Sequence, residues 1–260
     1  MTKHTIQRYD FKNPIRIYNM GDIHRGNQNC DLAFLYSTIN TIKENPNAYW
    51  VSTGDLLEVA TKNSKSDSYE ASNLQYELDT LTTELSVISD KCLGFVASNH
   101  HNRVDKEIGI SIDKVLAHNL NIPFLGITGL IRVQICTSPY FMCLHHGIGG
   151  GTYGGKVNNA MRIAHNYLGA DIYMSGHTHT YSHVPFMQQV VDRKRGSIRT
   201  ILSHSVVTGH CLKWKESYAE KLALHPAPIG FAYIDLFPNA SNRSNSRLAK
   251  PGFHNNIAGV

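Results

Sequence analysis

The stretch Ser175-Gly176-His177-Thr178-His179 follows the apolar segment Asp171-Ile172-Tyr173-Met174, which reads as a short buried strand. Two histidines one residue apart, placed after a strand and a glycine, can turn their ring nitrogens toward one point beyond the strand end. Imidazole nitrogen is a common ligand of divalent transition metals. In a chain with 15 histidines one such pair could equally be surface decoration, so the metal interpretation depends on further ligands.

Four other strand-like segments also end in residues that bind metals. After residues 15–20, 49–53, 92–98 and 140–144 come, in order, Gly21-Asp22-Ile23-His24, Gly54-Asp55, Asn99-His100-His101 and His145-His146-Gly147. In open α/β sheets ligands bind beyond the carboxyl ends of strands, so segments distant in sequence can meet at one site. The five strand ends together predict a shared metal site.

The ordered series Asp-x-His, Gly-Asp, Asn-His, His and Gly-His-x-His resembles the calcineurin-like metallophosphoesterase superfamily over residues 15–237. The resemblance implies an α/β fold of two packed mixed β-sheets flanked by helices, a four-layer αββα sandwich. It also implies two divalent metal ions, one held by Asp22, His24 and His179, one held by Asn99, His146 and His177, and both bridged by Asp55. Mn is the expected ion, with Fe, Zn, Mg or Ni as alternatives, because a carboxylate, imidazole and amide shell suits borderline divalent ions.

Three positions depart from the family pattern. Ser98 stands where the family usually has the glycine of Gly-Asn-His. His145 and His146 compete for the fourth motif, and His146 is assigned as the ligand because the family's ligand usually precedes a glycine. Glu58 stands where some relatives carry the aspartate that orients the catalytic histidine, and its longer side chain has to be accommodated there.

The chemistry that the resemblance implies is metal-dependent hydrolysis of a phosphoric ester by attack of a metal-bound hydroxide. His100 would protonate the leaving group, and Glu58 would hold the tautomer of His100. Arg25 and Arg103 would stabilise the non-bridging oxygens, with an ordinary salt bridge as the alternative for each. The expected substrate is a phosphodiester in a nucleic acid or a nucleotide, as for a nuclease. The alternatives are a phosphomonoesterase such as a protein phosphatase, and a non-catalytic metal-binding module.

The glycine-rich segment 150–157 has the spacing of a phosphate-binding P-loop as far as Lys156. Val157 replaces the hydroxyl residue that would bind Mg²⁺, which argues against a nucleotide triphosphatase. We expect the loop 147–155 instead to offer backbone N–H groups to phosphate oxygens. The run 145–151 also resembles phage and prophage members of the superfamily.

The composition predicts one soluble domain over residues 1–238 and a flexible polar tail over 239–260, since the tail is rich in Asn and Ser. Five cysteines without a Cys-x-x-Cys pair indicate free thiols in a reducing compartment. With no apolar leader and no long apolar run, the expected location is the cytoplasm, or the host cytoplasm for a phage protein, with no membrane partner. A net charge of +5 permits anionic substrates.

Overall fold

The computed structural model describes residues 6–60, 73–99, 101–149, 154–223, 225–238 and 249–255. Its strands are β1 (Gln7–Phe11), β2 (Ile15–Asn19), β3 (Ala48–Ser52), β4 (Cys92–Phe95), β5 (Thr128–Ile135), β6 (Ser138–His145), β7 (Ile172–Ser175), β8 (Ser182–Asp192), β9 (Ser197–Val207), β10 (Gly230–Leu236) and β11 (Ala249–Asn255). Its helices are α1 (Leu32–Glu44), α2 (Leu74–Ser86), α3 (Asn102–Ile108), α4 (Ile112–Leu120), α5 (Gly154–Asn166) and α6 (Tyr218–Lys221).

The strands form two mixed sheets, which confirms the predicted fold class. The six-stranded sheet has the order β1-β5-β6-β7-β9-β8, and the five-stranded sheet has the order β11-β10-β2-β3-β4. Strands β2, β3 and β4 are parallel to one another, and so are β6, β7 and β9. Each parallel set brings its carboxyl ends to one edge of its sheet, which is where the predicted ligands follow the strands.

The core has three layers of apolar contact. Val51 of the five-stranded sheet and Met174 of the six-stranded sheet belong to the fully buried cluster between the sheets. On the outer face of the five-stranded sheet, Trp50 packs in a cluster with Leu81 of α2, while α5 covers the other sheet through Ile163. Burial of each such side chain contributes roughly 1.5–3 kcal/mol, so the strand ends stand on a rigid scaffold.

Residues 108–119 have the apolar spacing of a single helix, but in the structure a glycine near the start of this range separates two helices. Gly109 caps the end of α3 with a φ of 71°, and its backbone N–H donates to the Asp105 carbonyl. A left-handed residue at this position ends a helix, and the chain starts again at α4. The short helix α3 therefore directly follows the strand-end segment 98–101.

The tail prediction is wrong for residues 249–255, which form β11. This strand pairs with β10 in antiparallel register from Ala249 opposite Leu236 to Asn255 opposite Gly230. The polar composition of the tail shows only that it cannot order itself alone. The open edge of β10 instead supplies a backbone partner, and Phe253 stacks on Tyr181 with ring centroids 4.5 Å apart.

Residues 61–72 are polar and predict a loop; they lie outside the described residues, as do the glycine-rich residues 150–153. Residues 190–201 predict a hairpin with a basic tip. The hairpin is present and longer than this range, as β8 and β9 pair from Ser182–Val207 to Asp192–Ser197. In the parts of the chain that the structure describes, every helix is too short or too polar to cross a membrane.

A pair of histidines lies on this hairpin. His183 Nε2 lies 2.9 Å from His204 Nδ1. Burial lowers the pKa of both rings, and with the charge of His183 it lowers the pKa of His204 to about 4. The folded protein therefore holds His204 neutral at pH values where an unfolded chain, with a histidine pKa of about 6.5, takes up a proton.

We expect His204→Gln to reduce the loss of stability in acid. The folded pKa lies below the unfolded one, so wild-type stability falls as the pH drops from about 6.5 toward about 4, and the variant lacks this contribution. The measurement is the midpoint of thermal unfolding at several pH values in this window. Exposed His118→Gln is the matched control. An unchanged pH slope in His204→Gln would contradict the assignment.

Candidate metal centre

The strand ends bring six of the predicted ligands into two compact groups. The ligand atoms of Asp22, His24 and His179 all lie within 4.8 Å of one another, and so do those of Asp55, His146 and His177. The two aspartates, His24 and His146 are buried, whereas His177 and His179 are half-buried. Each group combines one carboxylate with two imidazoles, a donor set that suits Zn, Mn or Fe.

In the first group, two ring nitrogens and a carboxylate face one point. His24 Nε2 lies 3.0 Å from His179 Nε2, which in turn lies 3.3 Å from Asp22 Oδ1. Glu58 Oε2 lies 3.0 Å from His24 Nδ1, and both side chains are 1% exposed. A carboxylate at Nδ1 favours the tautomer with its proton there, which leaves the Nε2 lone pair for a metal.

The second group repeats this arrangement with a backbone carbonyl. His146 Nδ1 donates to the Thr53 carbonyl over 2.7 Å, so Nε2 is the nitrogen that would bind a metal. That Nε2 lies 3.2 Å from Asp55 Oδ2 and 3.2 Å from His177 Nδ1. Asn99, the seventh predicted ligand, reaches the same point, with Nδ2 3.0 Å from His177 Nδ1.

The two groups belong to one site because a hydrogen bond from a backbone N–H joins them. The His177 N–H donates to both carboxylate oxygens of Asp22, over 3.0 and 2.9 Å. Gly176 permits this approach, since a Cβ atom there would stand 2.2 Å from Asp22 Oδ2. The glycine before the His-x-His pair is therefore required by close packing against the first aspartate.

Five of the candidate ligands have a left-handed backbone that non-glycine residues rarely adopt. Their φ angles are 53° for Asp22, 53° for His24, 51° for Asp55, 71° for His177 and 52° for His179. Each such residue costs roughly 1–2 kcal/mol. Strain concentrated in this way is typical of functional sites, where the required side-chain direction outweighs the cost in folding.

The electrostatics of the site also fit bound cations. Asp22, Asp55 and Glu58 are at most 1% exposed, and buried carboxylates need positive partners. Burial alone would lower the pKa of His24, but the carboxylates of Glu58, Asp55 and Asp22 raise it to about 9. Burial likewise opposes a rise at His146, where Asp55 and Asp22 bring the pKa to about 9. This excess of buried negative charge suits divalent ions.

His145, the residue before His146, uses its ring nitrogen in a backbone contact. Its Nδ1 accepts the Gly147 N–H over 2.9 Å, and burial together with the charge of His146 lowers its pKa.

We expect His146→Ala to lose close to one metal equivalent per chain, because it removes a nitrogen next to Asp55. His145→Ala should keep both equivalents, since its ring holds a loop. Elemental analysis after gel filtration measures this, and equal loss from the two variants would refute the assignment.

The predicted catalytic residues have mixed outcomes. For Arg25 the structure shows the salt bridge that was the alternative to a substrate role, because its Nε and Nη2 bind the Glu84 carboxylate of α2 at 3.0–3.1 Å. Arg103 lies in α3, but its side chain is outside what the structure describes, as is the whole of His100. Glu58 contacts His24, and its expected partner His100 lies outside the described residues.

Three residues beside the site, His101, Asp113 and His210, have no role assigned from the sequence. His210 follows β9 after a glycine, and its ring stacks on His179 with centroids 5.1 Å apart. Burial, with the charge of His179, lowers its pKa to about 3, so the ring is neutral. The strand-glycine-histidine pattern used for the other motifs would have found it. His101 stands in the third motif without an assigned role, and no sequence pattern marks Asp113. In the structure His101 Nδ1 lies 2.5 Å from Asp113 Oδ1.

Comparison with known proteins adds a structural resemblance. No family model and no curated protein matches this sequence. Among solved structures, a metallophosphoesterase from Sphaerobacter thermophilus matches over 93% of this chain and 88% of its own, with 13% sequence identity and a TM-score of 0.40.

Proposed function

We propose that this chain is a binuclear metal-dependent phosphoesterase that hydrolyses phosphodiester bonds in a nucleic acid or a nucleotide. One observation carries the proposal: two three-ligand groups lie side by side, joined through the His177–Asp22 bond. Asp22, His24 and His179 would hold one ion, and Asn99, His146 and His177 the other, with Asp55 between them. Paired divalent ions in carboxylate and imidazole shells are typical of phosphatases and nucleases. The order of the motifs along the chain resembles the metallophosphoesterases in particular, including phage-type members.

Two divalent ions bound there, Mn²⁺ in our proposal, would act as Lewis acids on a phosphoryl group and make a water molecule more acidic. The chain's own residues set the geometry. Glu58 and the Thr53 carbonyl hold His24 and His146 with Nε2 toward the site. His100, next to Asn99, is our candidate for protonating the departing oxygen.

Lys156 supplies a positive charge on the substrate side. Its ammonium donates to Thr180 Oγ1 over 2.7 Å. Thr180 directly follows His179 in the sequence. Burial lowers the pKa of Lys156, as expected for a cation that gives up part of its hydration. A substrate phosphate could complete its coordination.

The salt bridge of Arg25 supports the proposed preference for diesters. A phosphomonoester carries up to two negative charges and favours an arginine clamp, whereas a diester carries one. The Arg25 guanidinium is already engaged by Glu84, with both side chains about 11–12% exposed. Fewer free cations remain for a dianion among the described side chains near the site. A phosphomonoesterase is the second candidate, since the Arg103 side chain could still supply such a clamp.

Hydrolysis of bis-p-nitrophenyl phosphate and of p-nitrophenyl phosphate, with Mn²⁺ added, tests the proposal. We expect faster turnover of the diester, and complete loss of turnover after chelation. Preference for the monoester would replace the diesterase with a phosphatase. Tight metal binding without turnover of either ester would instead indicate a non-catalytic module.

A further inference from the structure

A buried carboxylate outside the two ligand groups holds the segment that carries Asn99. Asp113 lies in the first turn of α4 and is 2% exposed. Its Oδ2 accepts the Ser98 N–H over 3.0 Å, and its two oxygens lie 3.0 and 3.1 Å from Ser98 Oγ. Its Oδ1 lies 2.5 Å from His101 Nδ1. One carboxylate therefore contacts both Ser98, directly before Asn99, and His101, two residues after Asn99.

The contacts are sheltered from water. Ser98 and His101 are each 2% exposed, like Asp113 itself. In such surroundings a charge-assisted hydrogen bond is stronger than at a surface, and a partner left behind by mutation is costly. The contacts of Asp113 with Ser98 and His101 are therefore strong, whereas Asn99 is exposed and its side chain points to His177.

The departure from the family glycine has a place in this network. Ser98 supplies a hydroxyl that a glycine lacks, and the hydroxyl is bound to Asp113. Ser98 also packs against Gly54, where an added Cβ would stand 2.8 Å from the Ser98 Cβ. The serine therefore links the Asn99 turn to α4 on one side and to the Asp55 turn on the other.

We propose that Asp113 is a positioning residue for the second metal, fixing the Asn99 turn so that the amide oxygen reaches the point shared by Asp55, His146 and His177. The amide oxygen and nitrogen of Asn99 are interchangeable by a half turn of the side chain, and the oxygen is the metal donor. The inference rests on the proposed metal centre, but it concerns ion binding and does not require any particular substrate.

The test measures metal affinity in single-site backgrounds. His24→Ala leaves only the second group intact, and His146→Ala leaves only the first. Adding Asp113→Asn should weaken Mn²⁺ binding about 10–100-fold in the His24→Ala background, as loss of a supporting partner does in other metal sites. It should leave the affinity unchanged in the His146→Ala background. Isothermal titration with Mn²⁺ gives both values, and circular dichroism checks the fold.

Matched variants keep the test decisive. Lys114→Asn, at the exposed neighbouring position of α4, should change neither affinity. Ser98→Ala keeps the backbone N–H bond and the packing against Gly54, so it should weaken only the second site, by less than Asp113→Asn does. If Asp113→Asn fails to fold, Ser98→Ala decides. Equal weakening of both sites, no weakening of the second, or absence of Mn²⁺ binding by the wild type would overturn the inference.

These outcomes separate the inference from the proposed activity. A protein that binds two Mn²⁺ ions and turns over no phosphoester, yet loses the second ion in Asp113→Asn, would refute the phosphoesterase and support the positioning role. A phosphodiesterase whose Asp113→Asn variant binds both ions normally would do the reverse.

Discussion

Asp55→Asn is expected to lower phosphodiester turnover by at least about 10³-fold, since loss of one transition-state interaction alone typically costs about 10²–10³-fold. Asp55 is 1% exposed and lies 3.2 Å from His146 Nε2, so its carboxylate is central to the second group. The amide has nearly the same shape but no charge. It leaves the buried imidazoles and the proposed ions without their common anionic partner.

The measurement combines kcat on bis-p-nitrophenyl phosphate with metal content by elemental analysis. Both metal equivalents should bind more weakly, because Asp55 is proposed to contact both ions. Asp90→Asn, an exposed aspartate before β4, is the control and should behave as the wild type. A variant that keeps two metals and a tenth or more of the activity would exclude a bridging role for Asp55.

His100→Ala is expected to lower turnover by roughly 10²–10⁴-fold on a substrate with an alkoxide leaving group, which is the usual contribution of a general acid. The loss should be small for p-nitrophenolate, which leaves without a proton. Both metals should remain bound, because Asn99 is the proposed ligand at that strand end.

Alkyl and aryl esters of the same phosphate are compared for the wild type and the variant. The exposed His118→Ala serves as control for loss of a histidine. An equal loss on both esters would mean that His100 binds the phosphate. Loss of metal from His100→Ala would mean that it is a ligand, and the acid role would have to be abandoned.

The ligand groups were predictable because two local features coincide: a strand-like apolar run and a metal-type residue directly after it. Parallel strands then bring such residues together without further information, as for Asp22 and Asp55. The fold class was predicted from the resemblance of the ordered motifs to the calcineurin-like metallophosphoesterases. No knowledge of side-chain packing was needed for either.

The partners of these residues were not predictable, because they depend on where side chains meet across the fold. Arg25 binds Glu84, which is 59 residues away, and a sequence offers many acidic candidates for such a pair. The contact of Glu58 with His24 and that of Asp113 with His101 depend likewise on helix and turn placement. β11 was missed because strand formation there is decided by the free edge of β10 and not by the composition of the tail.

The left-handed backbone at five candidate ligands has a consequence for laboratory evolution. Glycine adopts this conformation without the Cβ clash, so replacing any of these residues by glycine relieves strain while it removes a ligand. A library selected only for heat resistance, without metal, should therefore accumulate glycine at the half-buried His177 and His179, and its survivors should bind metal poorly. At the buried Asp22, His24 and Asp55 the loss of a charged partner outweighs the relieved strain. Selection for heat resistance and selection for metal binding would drive positions 177 and 179 in opposite directions.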